Sequence, residues 1–284
     1  MELKEIYYEA GGLRLHGLEG PASGPALVLL HGALSNGYGW SSVIPQLAER
    51  WHVYALDLRG HGLSGRPDSL EGYNLRYHVA DTVAVLRDVV REPAVLMGHS
   101  YGAVIAALAG MPAASWLRGM VLEDPPMMLR RDNQESKSYL DFFKMVYALR
   151  QTAQSVDEIM TALAERDPAA PVESLRPFAQ SLAWVDPNYI TAITWGNERE
   201  TARGVDFEAH LRGIACPVLL MQADLALNAA LVPQDVEFFM AQAPNTRLVT
   251  FPGASHGIHN DQLAEFLRAF DEFTAGLPPV PPAR

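Results

Sequence analysis

VLMGHSYGAVIAALA, residues 95–109, holds one serine between two apolar runs, with a glycine two places away on either side. The run before it has the length of a buried strand, and the Ala-rich run after it has helix character. A strand that turns at once into a helix needs a very tight bend. Gly98 and Gly102 remove the side chains that would collide across it. Ala103, Ala106 and Ala107 let the helix lie close to the sheet. Ser100 is then pushed out at the carboxyl edge of the sheet, where ligands bind in open α/β folds. The start of a helix also aims free backbone N–H groups at whatever sits there.

Outward from that bend, short apolar runs read as strands buried on both faces: 26–30, 52–58, 94–98, 119–123, 217–221 and 247–251. Helix-period segments lie between them. Val79, Val83, Leu86 and Val90 recur at helical spacing in 74–91, and Leu263, Phe266, Leu267, Phe270 and Phe273 do so near the end. Strand alternating with helix predicts an α/β fold, a mostly parallel sheet with helices on both faces. The alternation breaks between residues 126 and 213, where no core strand is legible. That segment is helix-like and rich in Met, Trp, Tyr and Phe. An insertion of this size predicts a helical cap over 126–213, with 1–125 and 214–284 forming the core.

Composition narrows the partners. The 284 residues are 49% hydrophobic and 19% charged, which is globular. The formal net charge of −11 argues against nucleic acid and anionic membranes, because both need basic patches. The single cysteine, Cys216, precedes a proline and an apolar run and reads as a buried structural thiol. The N-terminal MELKEIYYEA has no basic region followed by an apolar core, and no stretch has the length of a membrane span. The expectation is a cytoplasmic protein. The tail GLPPVPPAR is Pro-rich and reads as frayed.

A nucleophilic serine needs a base and an oxyanion site. LVLLHGALSNGYGW, residues 27–40, runs a strand into His31-Gly32, whose loop can approach a substrate oxygen. The backbone N–H groups of Ala33 and Tyr101 are the predicted oxyanion donors, with His31 bracing the loop. For the base, LVTFPGASHGIHNDQ places His256 in a loop at a strand end, ahead of the final helix. His259 competes, but sits in or at the start of that helix. His61 and His99 read as structural or pocket-lining.

HGALSNGYGW, LDLRGHGLSGRP, GHSYG and GASHGIHNDQ, in that order and spacing, resemble the α/β-hydrolase superfamily. The resemblance spans nearly all of 1–126 and 214–275. It implies an eight-stranded, mostly parallel sheet with a helical cap inserted after the sixth strand. It also implies a Ser–His–acid triad with Ser100 and His256 at the matching positions. Relatives with an Asp nucleophile, such as haloalkane dehalogenases and epoxide hydrolases, fit less well because this bend carries Ser. The acid departs from the commonest pattern. After the seventh strand, Ala226 fills the usual place and Asp224 comes two residues early. The other known location, the end of the sixth strand, holds Glu123 and Asp124. Aligning that strand on Gly119 favours Asp124, with Asp224 and Glu123 as alternatives.

The expected activity is a serine hydrolase acting on an apolar or aromatic ester or lactone, with no cofactor and no metal. Phe142, Phe143, Met145, Tyr147, Trp184 and Trp195 are the candidate substrate-pocket residues of the cap. Three rivals share the fold: a C–C bond hydrolase or lyase, a cofactor-free haloperoxidase, and a ligand sensor that binds without turnover.

Overall fold

The computed structural model describes residues 3–127, 137–166, 168, 171–194 and 201–278. Its centre is an eight-stranded sheet in the order β1-β2-β4-β3-β5-β6-β7-β8. The strands are β1 Lys4–Ala10, β2 Leu13–Glu19, β3 Ala26–Leu30, β4 His52–Leu56, β5 Ala94–His99, β6 Leu117–Glu123, β7 Val218–Gln222 and β8 Thr246–Thr250. The first two pair antiparallel, β2 pairs antiparallel with β4, and β3 to β8 run parallel. Six strands match the apolar runs of the sequence. The other two lie at the antiparallel end of the sheet: β1 mixes exposed and half-buried residues, and β2 buries its middle, Leu15–Leu18.

Side-chain alternation along the parallel strands divides the interior in two. Ala26, Val28, Leu30, Leu96, Met120, Leu122 and Leu220 face one core. Leu27, Leu29, Val95, Met97, Val121, Leu219 and Met221 face the other. The longer helices are α1 Leu75–Ala84, α2 Tyr101–Ala109, α3 Lys137–Thr152, α4 Val156–Arg166, α5 Val172–Ala183, α6 Pro187–Thr194, α7 Phe207–Arg212, α8 Pro233–Gln242 and α9 Leu263–Ala275. The helical pattern of 74–91 is not one uniform helix: α1 continues as a π-helical turn over Val85–Val90 and ends at Arg91 with φ 60°. Cys216 is buried, and burial pushes its thiol up to about 11.

Between β6 and β7 the described chain is helical, forming α3 to α7. Phe143, Val146, Leu149, Ile159, Leu182 and Tyr189 from these helices join the first core without a break. Polar contacts fasten α5 and α6 over the carboxyl edge of the sheet. The Asp186 amide donates to Gly60 O at 2.8 Å, and the Tyr73 hydroxyl donates to the Asp186 carboxylate. Asn36 Nδ2 donates to Ser181 Oγ at 3.3 Å.

Candidate active site

Ser100 lies between β5 and α2 with φ 53° and ψ −121°, a region that L-residues rarely occupy. The glycines explain how the backbone is held there. A Cβ on Gly98 would sit 2.3 Å from Gly102 O, and one on Gly102 would sit 2.3 Å from Leu30 O. The bend therefore packs backbone against backbone, with no room for a side chain. Ser100 itself donates its amide to Glu123 O at 2.8 Å, which ties it to the end of β6.

The loop after β3 packs on the same bend. A Cβ on Gly32 would lie 3.2 Å from Ser100 Cβ, so Ala33 follows a backbone that already touches the serine. His31 braces this loop at both ring nitrogens: Nδ1 donates to Gly32 O at 2.7 Å, and Nε2 accepts from the Leu58 amide at 3.0 Å. Burial lowers the His31 pKa, which keeps the ring neutral in that dual role. Tyr101 opens α2, where a backbone N–H has no intrahelical acceptor.

Buried Asp57 anchors the loops around this edge. It accepts from the Gly37 amide at 2.7 Å, the Leu63 amide at 2.9 Å and His16 Nδ1 at 2.7 Å. Burial alone would raise its pKa, but these donors outweigh burial and lower it. Beside it, Arg59 makes a two-pronged pair with Asp81 at 2.7 Å on both oxygens.

Two histidine–carboxylate pairs stand at the ends of β6 and β8. His256 Nδ1 donates to Asp124 Oδ2 at 2.7 Å. Asp124 is fully buried, with φ 45°, and also accepts from the amides of Ala223 at 3.3 Å, Ala230 at 2.7 Å and Leu231 at 3.2 Å. His259 Nδ1 donates to Glu123 Oε2 at 2.8 Å, and its amide donates to Oε1 at 2.9 Å. The pairs differ in access. The His256 side chain is 34% exposed, whereas that of His259 is 4% exposed. Only the first is open to solvent.

Asp224 is elsewhere. Its oxygens accept from the Ala226 amide at 2.9 Å and the Gly253 amide at 2.7 Å, and these bonds lower its pKa. It shapes the loop after β7 and is not hydrogen-bonded to His256. His99 Nε2 donates to His256 O at 3.0 Å, and burial lowers the His99 pKa to about 4. His61 is fully buried, in ring contact with His31 and Tyr189.

Of the aromatic and Met candidates between β6 and β7, Phe143 is in the core, and Phe142 is 42% exposed and stacks on Phe178. Met145 and Tyr147 are half-buried against the core, and Trp184 is half-buried at the end of α5. Trp195 lies outside the described residues. Helical geometry explains the split: 143, 146 and 149 share the inner stripe of α3, while 142 turns outward. No three His, Cys, Asp or Glu side chains among the described residues converge as a metal site. No helix among them is long and apolar enough to cross a membrane.

The family model described as "Alpha/beta hydrolase family" matches residues 27–269. The chain belongs to the alpha/beta hydrolase family. Two relatives align along nearly their whole length. One is 2-(acetamidomethylene)succinate hydrolase of Mesorhizobium japonicum, 26% identical over 88% of this chain and 88% of that protein. The other is N-formylmaleamate deformylase of Pseudomonas putida, 29% identical over 93% and 94%. The crystal structure of E-2-(acetamidomethylene)succinate hydrolase superposes with a TM-score of 0.78 at 23% identity, over 97% of this chain and all of that one. That alpha/beta hydrolase shares the fold.

Proposed function

We propose that the protein is a serine hydrolase that cleaves a carboxylic ester or lactone through an acyl-enzyme. The carrying observation is the 2.7 Å bond from accessible His256 to buried Asp124, together with a serine in a strained bend at a helix start whose amide bonds the residue before Asp124. Ser100 Oγ attacks the carbonyl carbon. His256 takes the serine proton on Nε2, since Nδ1–H is committed to Asp124. The amides of Ala33 and Tyr101 hold the developing oxyanion. His256 then protonates the leaving alkoxide. Water, activated by the same ring, attacks the acyl-enzyme and frees Ser100. Asp124 is held by three backbone amides, so it can fix the imidazole tautomer without moving. These steps use no cofactor.

Serine also decides against epoxide opening. Attack of a hydroxyl on an epoxide carbon would leave an ether, which water does not release, whereas a carboxylate nucleophile would leave an ester. A second reading keeps the same machinery with an amide as substrate. It is favoured by the names of the two near-full-length relatives, which carry acetamido and N-formyl groups. His256 would then protonate a leaving nitrogen. Met145, Tyr147 and Trp184 remain the candidates for lining the acyl pocket beneath a cap of α3 to α7, and an apolar or aromatic small molecule is the proposed ligand.

A fluorophosphonate probe should label Ser100, and Ser100→Ala should lose about 10³-fold or more in turnover on a panel of aryl esters, lactones and amides. Labelling at another residue, or an active alanine variant, would reject the reading. The panel member with the highest kcat/KM separates ester or lactone from amide.

A further inference from the structure

Glu123 is a junction. Its carbonyl accepts the Ser100 amide at 2.8 Å. Its side chain accepts both the backbone and the ring of His259, three residues beyond His256. The next residue, Asp124, holds the His256 ring. Across the sheet, Glu123 pairs in register with His99, the neighbour of Ser100. His99 in turn donates to the His256 carbonyl. The three residues of the proposed triad are therefore each within one peptide or one hydrogen bond of a unit formed by buried Glu123 and His259 and half-buried His99. Trp40 closes that unit, its ring 4.7 Å from His259.

The unit has costs that a purely apolar core would avoid. Glu123 is fully buried, and a buried carboxylate is destabilising unless paired and hydrogen-bonded. Nothing in the chemistry of the half-buried His256 requires a second pair for proton transfer. What the pair does geometrically is clamp the backbone at residue 259. A carboxylate that receives a backbone N–H and a ring N–H from the same residue fixes both its position and its rotation. The stretch from His256 to His259 is then pinned at both ends, by His99 at 256 and by Glu123 at 259.

We propose that Glu123 and His259, with His99, are positioning residues that set the placement of His256 relative to Ser100. Glu123 and His259 act through the His256 backbone, and His99 acts through its bond to the His256 carbonyl and through its ring, 4.8 Å from the His256 ring. The proposal rests on the serine-hydrolase reading above. It makes the 2.7 Å bond from His256 to Asp124 depend on a side chain that His256 never contacts.

The test uses the fluorophosphonate labelling rate of Ser100, which needs an aligned base but no knowledge of the substrate. Two variants are compared with the wild type: Glu123→Gln, and the paired apolar replacement Glu123→Leu with His259→Phe, which removes the buried charges together. In both, labelling should slow by about 10²-fold, the order expected for a misplaced catalytic group. On the best substrate of the panel, kcat should fall while KM stays within about twofold, because binding is not the function lost. The low-field proton resonance of His256 Nδ1–H should shift or broaden in both variants. A purely structural pair would lose stability in Glu123→Gln and recover both stability and labelling in the apolar double variant. Wild-type labelling rates in either folded variant would overturn the proposal, and so would failure of both to fold, which would make the pair a stability element. If wild-type Ser100 does not label, the serine-hydrolase reading itself fails, and that outcome is distinct from the others.

Discussion

At the scale of single residues, two carboxylates adjacent in sequence serve two histidines three apart. The sequence narrowed the acid to Asp124, Asp224 or Glu123, and the base to His256 or His259. The resemblance favoured Asp124 and the loop position favoured His256, but chain spacing alone could not pair them, because the contacts span 132 and 136 residues. Backbone conformation separates the two carboxylates. Glu123 ends β6, while Asp124 turns into the left-handed region at φ 45° ahead of Pro125. That turn sends the two side chains to different histidines. Of the five described non-glycine residues with positive φ, three, Leu34, Ser100 and Asp124, lie on loops of the candidate site, and Arg91 and Asn228 lie elsewhere. Strain concentrated in this way is a mark of a functional region. Asp124→Asn should keep the fold and reduce turnover by up to about 10⁴-fold, because an amide neither enforces the tautomer nor stabilises the imidazolium. Asp224→Asn should lose far less, since its oxygens bind only loop amides. Steady-state kinetics on the two variants at one pH would decide, and the reverse order would reject Asp124.

At the scale of elements, the strand–bend–helix unit was the most legible part of the chain. Its glycines are local requirements, and local requirements leave local traces. β3 to β7 were legible for a related reason, because burial on both faces demands unbroken apolar runs; β8, expected to be buried on both faces, is an edge strand of half-buried and exposed residues. β1 and β2 left no such trace: β1 alternates exposed and half-buried residues through KEIYYEA. Only the resemblance supplied the count of eight. The inner face of α3 was legible as a stripe, but which of its aromatics meet the core and which meet solvent depends on rotation about the helix axis. Phe142 and Phe143, adjacent in sequence, end on opposite sides for that reason. The bend offers a sharp test. Gly102→Ala would place a Cβ 2.3 Å from Leu30 O and 2.5 Å from His31 O. Backbone cannot yield as a flexible side chain can, so the variant should lose about 3 kcal/mol in a urea titration, at the upper end of overpacking costs. It should also separate β3 from α2, which widens the gap between the Ala33 and Tyr101 amides. An alanine variant as stable as the wild type would show that the helix start adjusts more freely than its packing implies.

At the scale of the whole molecule, buried titratable groups on both sides of the sheet set the pH range of the folded state. The Glu123–His259 pair pulls one way. Burial would lower the pKa of His259, but the Glu123 charge and hydrogen bond outweigh burial and raise it. Burial would raise that of Glu123, but His259, His99 and the hydrogen bonds outweigh burial and lower it. The contribution of His259 is complete below about 6.5 and is lost as pH rises through its raised folded value. That of Glu123 is complete above about 4.5 and is lost as pH falls through its lowered one. The pair alone therefore favours mildly acidic solution. Four other histidines pull the opposite way. Burial lowers the pKa of His31, His78, His99 and His61, the last to about 3, with neighbouring His31 adding to the shift. Each stays neutral in the folded state while the unfolded chain takes up a proton below about 6.5. At pH 5 a fully buried ring such as His61 costs about 2 kcal/mol by this route. Between pH 7 and 5 the carboxylate of the pair contributes no change, and His259 adds stability as pH falls toward about 6.5, so four rings with lowered pKa values oppose one with a raised value and decide the sign. Stability measured by urea unfolding should fall steadily from pH 7 to pH 5, and His61→Gln should reduce the slope by close to one proton. A stability that stays flat or rises over that interval would show that these rings are protonated in the folded protein.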